Sequence, residues 1–510
     1  MSARPPSKSP SSSSKSKSKS SKSSVSSGAS KCRRGAAGRK PGAAAAAAAA
    51  ADRVGELRAG LSAYLPRAGL PVTAAHAALR WVPRFLVVGA VLFAWGARDA
   101  LLDRFAAAVD ALVAMFPSRR RPGRDPQGFL RTLCRQSPAL LDVVAARLRR
   151  RVRLTAGRDH WRVGGGGGVG VRKRKRGWLA FGADGSRVAC PRTAANELAL
   201  GCAGRERTGP QLFVTTLFHV GTGLPWAFRR GTGKASERGH LLEMLDTLPP
   251  GALLLADAGF TGYDLMNTIT GGGGGGGGGA GDGGRHFLIR VGANVRLLRG
   301  LGWCCDEHDG VVYLWPDAAQ KRAKAPPLVL RLVTLTDGRN RTMHLLTDVL
   351  DAAAMSDADA RDLYARRWLV EVLYRSLKQT MGRREMACGD PDHAGAELDW
   401  AVVGLWVLGL MAADAVAAAG HAPTRVSVAA APRAVRRAIG AAPPWLHRDL
   451  TLAGALAGAV RDEYRRAGPK AARAPVNKKR DRPPGDPLAR TATPEEVALA
   501  AALKRELRAA

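Results

Sequence analysis

A mixed α/β fold, a sheet flanked by helices with further helical regions at both ends, is predicted by three features of this 510-residue chain. Short apolar runs rich in Val, Leu and Phe, punctuated by Gly turns, recur from Leu179 to Thr336. Helix-period patterns lie among and after them, as in Glu237–Leu248 and Leu363–Met381, and helical regions precede and follow the whole. Strand and helix patterns that alternate in this way call for one mixed sheet with helices packed on it.

The elements follow in order. Residues 1–51 hold eleven Lys or Arg and no acid among Ser and Ala. Such a segment cannot bury a core and is expected to be a disordered basic tail, with Ala43–Ala51 as nascent helix. It either adds nonspecific DNA affinity or lies upstream of the true start of the protein. Residues 52–160 space Leu57, Leu61, Leu65, Leu101, Phe105, Leu112 and Phe116 as a helical N-terminal region. Gly164–Gly168 and the basic run Arg172–Arg176, a solvated linker or a grip on DNA, lead into the first part of the core, residues 176–265. There Leu212–Val220 and Leu224–Phe228, joined by Gly221-Thr222-Gly223, read as a hairpin. Ser236 is the N-cap of a helix over Glu237–Leu248, and Leu253–Ala256 is a buried strand.

Residues 266–345 contain strand patterns at His286–Val291, Val311–Trp315 and Leu328–Thr336, and nine glycines, Gly271–Gly279, that read as a flexible loop expansion. About 110 residues separate Asp257 from Glu371, far more than a crossover needs, so this stretch is a β-rich insertion. The second part of the core, residues 346–419, closes with a buried helix over Trp400–Ala419. Residues 420–510 are a basic helical C-terminal region. It contains a Pro-bearing linker, Val476–Pro487, and a capping box at Thr493-Pro494-Glu495-Glu496 for a last helix whose faces could serve dimerisation.

The residues that carry chemistry lie in the core. Tyr364, Arg367, Glu371 and Lys378 are separated by three, four and seven positions, which on a helix keeps them on one face. Leu363, Val370, Leu373, Leu377 and Met381 form an apolar stripe beside them. One carboxylate between two cations and a phenol suits a site that holds a metal and a phosphate backbone together. Asp257 ends the strand Leu253–Ala256, and Gly259 breaks the chain after it. Asp184 reads as near the end of a short strand, before a turn at Gly185. A lone Asp-Gly is more often a turn than a ligand. The order Asp184, Asp257, Glu371 on strand, strand and helix favours three acids facing one cleft. Two-metal phosphoryl chemistry needs such oxygens around ions roughly 4 Å apart, and magnesium suits it because it takes oxygen ligands.

The spacing Y-x2-R-x3-E-x6-K resembles the signature of the DDE transposases of the insertion-sequence-4 group. The likeness extends from Trp178 to about Met411, through A-D-G-S-R-V-A-C-P-R-T, A-S-E-R-G-H-L-L and A-D-A-G-F-T-G-Y-D. It implies a ribonuclease-H-like fold with an insertion between the second Asp and the Glu that lies over the active site. It implies that Asp184, Asp257 and Glu371 are the catalytic metal ligands, holding two Mg2+ for which Mn2+ can substitute. Tyr364, Arg367 and Lys378 would then contact DNA phosphates near the cut. The activity implied is cut-and-paste transposition by phosphodiester hydrolysis and strand transfer. The implied partner is double-stranded DNA, at the element ends and the target, bound by a homodimer. Residues 52–160 would be the place for end recognition, and the location a bacterial cytoplasm, at the nucleoid. The nine-glycine run departs from the family pattern.

Composition points to the same partner. The chain has 79 Lys and Arg against 42 Asp and Glu, a formal charge of +37, for which phosphate backbones are the obvious counter-charge. The charge alone also fits a ribosomal, chromatin-like or membrane-surface protein. The longest apolar runs, Phe85–Ala97 and Trp400–Ala413, are short for a membrane span and read as buried helices, and no membrane association is expected. The first 50 residues lack the leucine-rich core of a signal peptide. Seven cysteines without paired metal spacing suit a reducing cytosol. Trp303 and Trp315 read as packing residues or as platforms for an unpaired base. Ser236, Glu237 and His240 read as helix cap and decoration or as support for the site. A noncatalytic DNA-binding protein, an inactive copy, and a host nuclease of the same fold are the alternatives.

Overall fold

The computed structural model describes residues 43–71, 80–97, 100–117, 121–164, 177–201, 209–271, 284–306, 308–336, 341–439, 451–462 and 485–509. Most of the basic tail, the run Arg172–Arg176, Gly272–Gly279 and most of the Val476–Pro487 linker lie outside these residues. Residues 47–510 make one unit and residues 1–46 another, of which only the first turn of a helix is described.

Four helices come first: α1 (Ala43–Tyr64), α2 (Pro83–Trp95), α3 (Leu101–Met115) and α4 (Pro126–His160). Then follow β1 (Leu179–Ala189), α5 (Ala194–Leu200), β2 (Gln211–His219), β3 (Leu224–Thr232), α6 (Glu237–Met244), β4 (Ala252–Ala256) and α7 (Tyr263–Ile269). Next are β5 (His286–Val291), β6 (Arg296–Arg299), β7 (Val311–Leu314), α8 (Ala319–Arg322), β8 (Leu328–Thr336) and β9 (Thr342–Thr347). The chain then turns helical through α9 (Asp357–Ala365), α10 (Leu369–Arg375), α11 (Pro391–Ala418), α12 (Ala430–Ala438) and α13 (Leu452–Ala457), and closes with β10 (Leu488–Thr491) and α14 (Pro494–Ala509).

The described strands form one sheet in the order β10-β6-β7-β8-β9-β5-β4-β1-β2-β3. β1, β2 and β3 are antiparallel neighbours, while β4 runs parallel to β1 and β5 parallel to β4. That order and those directions are the ribonuclease-H-like arrangement the resemblance implied. The strand His286–Val291, read from sequence as part of the insertion, is therefore a strand of the central sheet. β9 pairs antiparallel with β5, and β8, β7 and β6 continue from it, so the inserted strands extend the same sheet edgewise.

Asp184 corrects a second expectation. It sits in the middle of the 11-residue β1, opposite Thr216 of β2, and Gly185 continues the strand opposite Thr215. The local turn preference of Asp-Gly yields to antiparallel pairing with β2. The glycines of β1 provide space: a Cβ on Gly182 would lie 2.0 Å from the ring of Phe218, its cross-strand neighbour and a fully buried side chain. Gly182→Ala should cost about 1–3 kcal/mol by overpacking, measured by urea unfolding.

Helices cover the sheet. α11 is long and apolar enough to cross a membrane, but it packs against α2, α4 and α13 and most of its length is buried. Gly404 lets α2 approach closely, since a Cβ there would meet that of Ala94 at 2.8 Å, and Trp95 Nε1 donates to the Gly404 carbonyl at 2.8 Å. Arg104 of α3 and Glu397 of α11 form a 2.6 Å ion pair with both side chains 1% exposed.

The end of the chain seals the far edge of the sheet. β10 adds in parallel to β6, and α14 lays Ala500 and Leu503 against Leu301, Trp303, Tyr313 and Trp315. Both tryptophans are packed and buried. One face of α14 is thus occupied within the chain. The capping box is formed: Glu496 N donates to Thr493 Oγ1 at 3.3 Å and Thr493 N to Glu496 Oε2 at 2.9 Å. Glu496 also accepts from Arg490 at 2.7 Å and from Arg322 at 2.8 Å. Arg490 first, then the Thr493 backbone and Arg322, hold its carboxyl down at about 2. A depressed acid pKa contributes stability above the ordinary carboxylate range and loses it as pH falls from about 4.5 toward 2. Glu496→Gln should therefore loosen this strap by about 1–3 kcal/mol at pH 7 and abolish its acid sensitivity in that window, read by hydrogen exchange of residues 488–509.

Candidate active site

The site forms where the parallel strands β1 and β4 lie side by side. Asp184 projects from mid-β1, and Asp257 follows the last residue of β4, where its Oδ1 accepts from Gly259 N at 2.9 Å and caps a short 3-10 turn. Glu371 comes from α10, which packs on β1.

The signature segment is helical throughout but is not one α-helix. α9 ends at Ala365, Arg366–Trp368 is a 3-10 turn, α10 spans Leu369–Arg375, and Ser376–Thr380 is a π-helical turn. Both irregularities flank Glu371, and π turns of this kind recur at functional sites. The apolar stripe of Leu363, Val370, Leu373, Leu377 and Met381 is buried as expected.

The side chains come together unequally. The Arg367 guanidinium stands between two acids, with Nη1 3.8 Å from Asp184 Oδ2 and Nη2 3.7 Å from Glu371 Oε1. Lys378 reaches β1 instead, donating to Ser186 Oγ at 2.8 Å, and burial first, then Arg384, lower its pKa. Tyr364 is buried under Arg367, whose guanidinium lies 5.6 Å from its ring centroid. Its hydroxyl has no hydrogen-bond partner among the described residues. Burial raises the Tyr364 pKa, against the opposing charges of Arg367 and Arg290 and with that of Asp257. Burial also pushes Asp184 up to about 6; Gly185 N and Arg367 oppose the rise, and the charges of Asp257 and Glu371 add to it.

Two residues escaped the sequence reading or were undervalued by it. Tyr374 is buried, and its Oη lies 2.7 Å from the Asp184 carbonyl and 3.1 Å from that of Val214, tying α10 to β1 and β2 at the acid. Its place three residues after Glu371 was the available signal. Glu237, read chiefly as the first residue of a capped helix, is pushed up to about 6 by burial and by the charges of Asp257 and Asp184, with Arg187 and Arg238 opposing. Ser236 does cap α6, accepting from Gly239 N, and His240 Nδ1 is 3.0 Å from Thr215 Oγ1.

Among the described residues, no three His, Cys, Asp or Glu side chains stand close enough to close around an ion. Asp184 on β1, Asp257 after β4 and Glu371 on α10 offer carboxylate oxygens, the donor type a hard divalent cation takes, and Arg367 is a counter-charge to Asp184 and Glu371. The unpartnered Tyr364 hydroxyl adds a donor for an anionic oxygen.

The segment that carries these acids, residues 183–403, matches the family model described as Transposase DDE domain. Through this segment the chain is similar to DDE transposases. It is 30% identical over 190 residues to the transposase InsG for insertion sequence element IS4 of Escherichia coli (strain K12). The aligned region covers 36% of this chain and 40% of that relative's length. A solved piggyBac transposase synaptic complex with hairpin DNA is similar at 11% identity and a TM-score of 0.36, over 84% of this chain and 88% of that one, a likeness too weak to bear on fold or function.

Proposed function

We propose that the protein is a DNA transposase that excises and reinserts an insertion sequence by divalent-metal-dependent phosphodiester hydrolysis and strand transfer. What supports this reading is Asp184 on β1, Asp257 just after β4 and Glu371 on α10, with Arg367 within ion-pair distance of Asp184 and Glu371. Asp184, Asp257 and Glu371 would hold two Mg2+, or Mn2+ in their place. Bound there, the ions would activate an attacking water or 3′-hydroxyl and stabilise the leaving oxygen.

The chain's own residues do the rest. Tyr374 fixes the Asp184 backbone, so that the acid presents its oxygens without first being ordered. Arg367 turns between carboxylates and phosphate: its contacts at 3.7 and 3.8 Å are ion pairs without hydrogen-bond closeness, and a phosphate can compete for it. Tyr364 donates its free hydroxyl to a phosphate oxygen, and Lys378 adds a cation from the rim of β1. Trp368, 58% exposed beside Arg367, offers a stacking face to an unpaired base near the cut. The formal charge of +37 supplies long-range attraction to double-stranded DNA, which two copies would hold as a pair of ends. On this reading the protein would work in the cytoplasm, at the nucleoid.

The test is cleavage of a DNA fragment carrying the gene's own flanking sequences, with and without Mg2+. Cutting at the element boundary only with Mg2+ is expected. Binding without cutting would overturn the reading in favour of an inactive or noncatalytic DNA-binding protein.

A further inference from the structure

Three arginines gather at one end of the N-terminal helices, away from the catalytic acids. Arg58 heads the stripe Leu61, Ser62 and Leu65 on one face of α1, and Arg84 heads Val87 and Val88 on α2. Steps of three and four keep each set on one helix face, so each arginine stands at the mouth of an apolar seam. Phe116, the C-cap of α3, closes that seam. Both guanidiniums lie over its ring, Arg58 at 5.2 Å and Arg84 at 4.9 Å from the centroid. Arg67, just past α1, lines the same indentation and donates its Nε to the Ser62 carbonyl at 3.1 Å, which leaves its terminal nitrogens uncommitted. All three arginines are exposed.

The cluster lacks a counter-charge. Among the described residues, no acid lines the indentation, and neither Arg58 nor Arg84 makes a hydrogen bond or an ion pair. Glu56 of α1 accepts from Leu452 N, and Asp110 of α3 stands 3.8 Å from Arg124, so these two acids are engaged elsewhere. The shared ring attracts each cation but neutralises neither. Residues 52–160 carry nineteen Arg against eight Asp and Glu, so the surroundings add to the positive field instead of cancelling it. Planar guanidiniums without carboxylates suit phosphate oxygens, which they bind in pairs.

We propose that Arg58, Arg67 and Arg84 form a phosphate-backbone grip, by which the N-terminal helices hold double-stranded DNA at a distance from the acids. The choice of DNA as the source of the phosphates rests on the transposase reading above. Contacts of this type fix the position of a duplex and carry no sequence information. The grip is tied to the helices behind the acids, because α1 packs on α11: Tyr64 Oη donates to Asp414 at 2.6 Å, and a Cβ on Gly60 would lie 2.9 Å from Met411.

Fluorescence anisotropy of labelled duplexes in EDTA tests this without metal or cleavage. One duplex carries the gene's own flanking sequence, and the other carries that sequence scrambled. Arg58→Gln with Arg84→Gln should weaken both about tenfold at about 0.15 M salt, and make the plot of log affinity against log salt shallower by about 2. Arg58→Lys with Arg84→Lys keeps both charges and should keep most of that slope. Arg505→Gln with Arg508→Gln, an equal change of charge on the exposed face of α14, should alter affinity less than threefold. An equal loss in the α14 pair would reduce the effect to bulk charge and overturn the grip. An unchanged slope in the Arg58, Arg84 glutamine variant, with a lower melting temperature, would mean that these arginines only cover Phe116; the grip would fall and the transposase reading would stand. Absence of duplex binding by the wild type would overturn both.

Discussion

Glu371→Gln should lower magnesium-dependent cleavage on the order of 10^3-fold while leaving DNA affinity unchanged or slightly raised. The amide keeps the size of the side chain, so α10 and its buried stripe remain in place. What is lost is one anionic oxygen among the three acids and one of the two carboxylates that hold Arg367. Arg367 is left with Asp184 at 3.8 Å and becomes freer for phosphate, and the net charge rises by one, so binding does not suffer. The measurement is single-turnover cleavage at saturating protein, alongside a filter-binding titration. Cleavage within tenfold of wild type would remove Glu371 from the chemistry.

A comparably large effect, on stability, is expected far from the site. Glu397→Ala should destabilise the fold by about 3–5 kcal/mol. Glu397 accepts from Arg104 at 2.6 Å, and its other oxygen takes the backbone N–H groups of Ala387 at 2.9 Å and Cys388 at 3.3 Å. Arg104 is itself buried over the ring of Phe93, 4.6 Å from its centroid. Removing the acid strands a guanidinium and two amides away from water. The double variant Arg104→Met, Glu397→Met should recover much of the loss, because the charge that needs a partner is gone. Urea unfolding of the three proteins decides it. A loss below about 1 kcal/mol for Glu397→Ala would mean that water reaches Arg104 readily.

The parts of the fold that were legible are those written in nearby residues. The hairpin β2–β3, the buried β4, the Ser236 cap and the Thr493 capping box follow from local spacing, and the structure forms each of them. What local spacing cannot carry is pairing. Asp184 read as near the end of a strand, before a turn at Gly185, because Asp-Gly is a turn in isolation, whereas pairing with β2 carries the strand through both residues. β6, β9 and β10 are short strands, at most six residues, and take their form from neighbours distant in sequence. The signature helix showed the right face but not its breaks, since a step of three or four residues is satisfied by 3-10, α and π turns alike. Among the site residues, Asp184, Glu371 and Arg367 are drawn together. Asp257 and Tyr364 stand beside them through charge, and Lys378 is turned to Ser186. Glu237 read as helix decoration or as support for the site, and local spacing could not choose between them, because its nearness to Asp257 joins elements distant in sequence.

The seal between β10 and β6 sets a schedule for synthesis. β6 ends at Arg299 and its partner begins at Leu488, so about 190 residues must be translated before the edge can close, roughly ten to forty seconds at ribosomal rates. Through that interval the nascent chain presents an open strand, with Trp303 and Trp315 still uncovered by α14. Two ribosomes on one message would bring such edges close together. Yield of native protein should therefore depend on chaperone supply and growth temperature more than the stability of the finished fold would suggest.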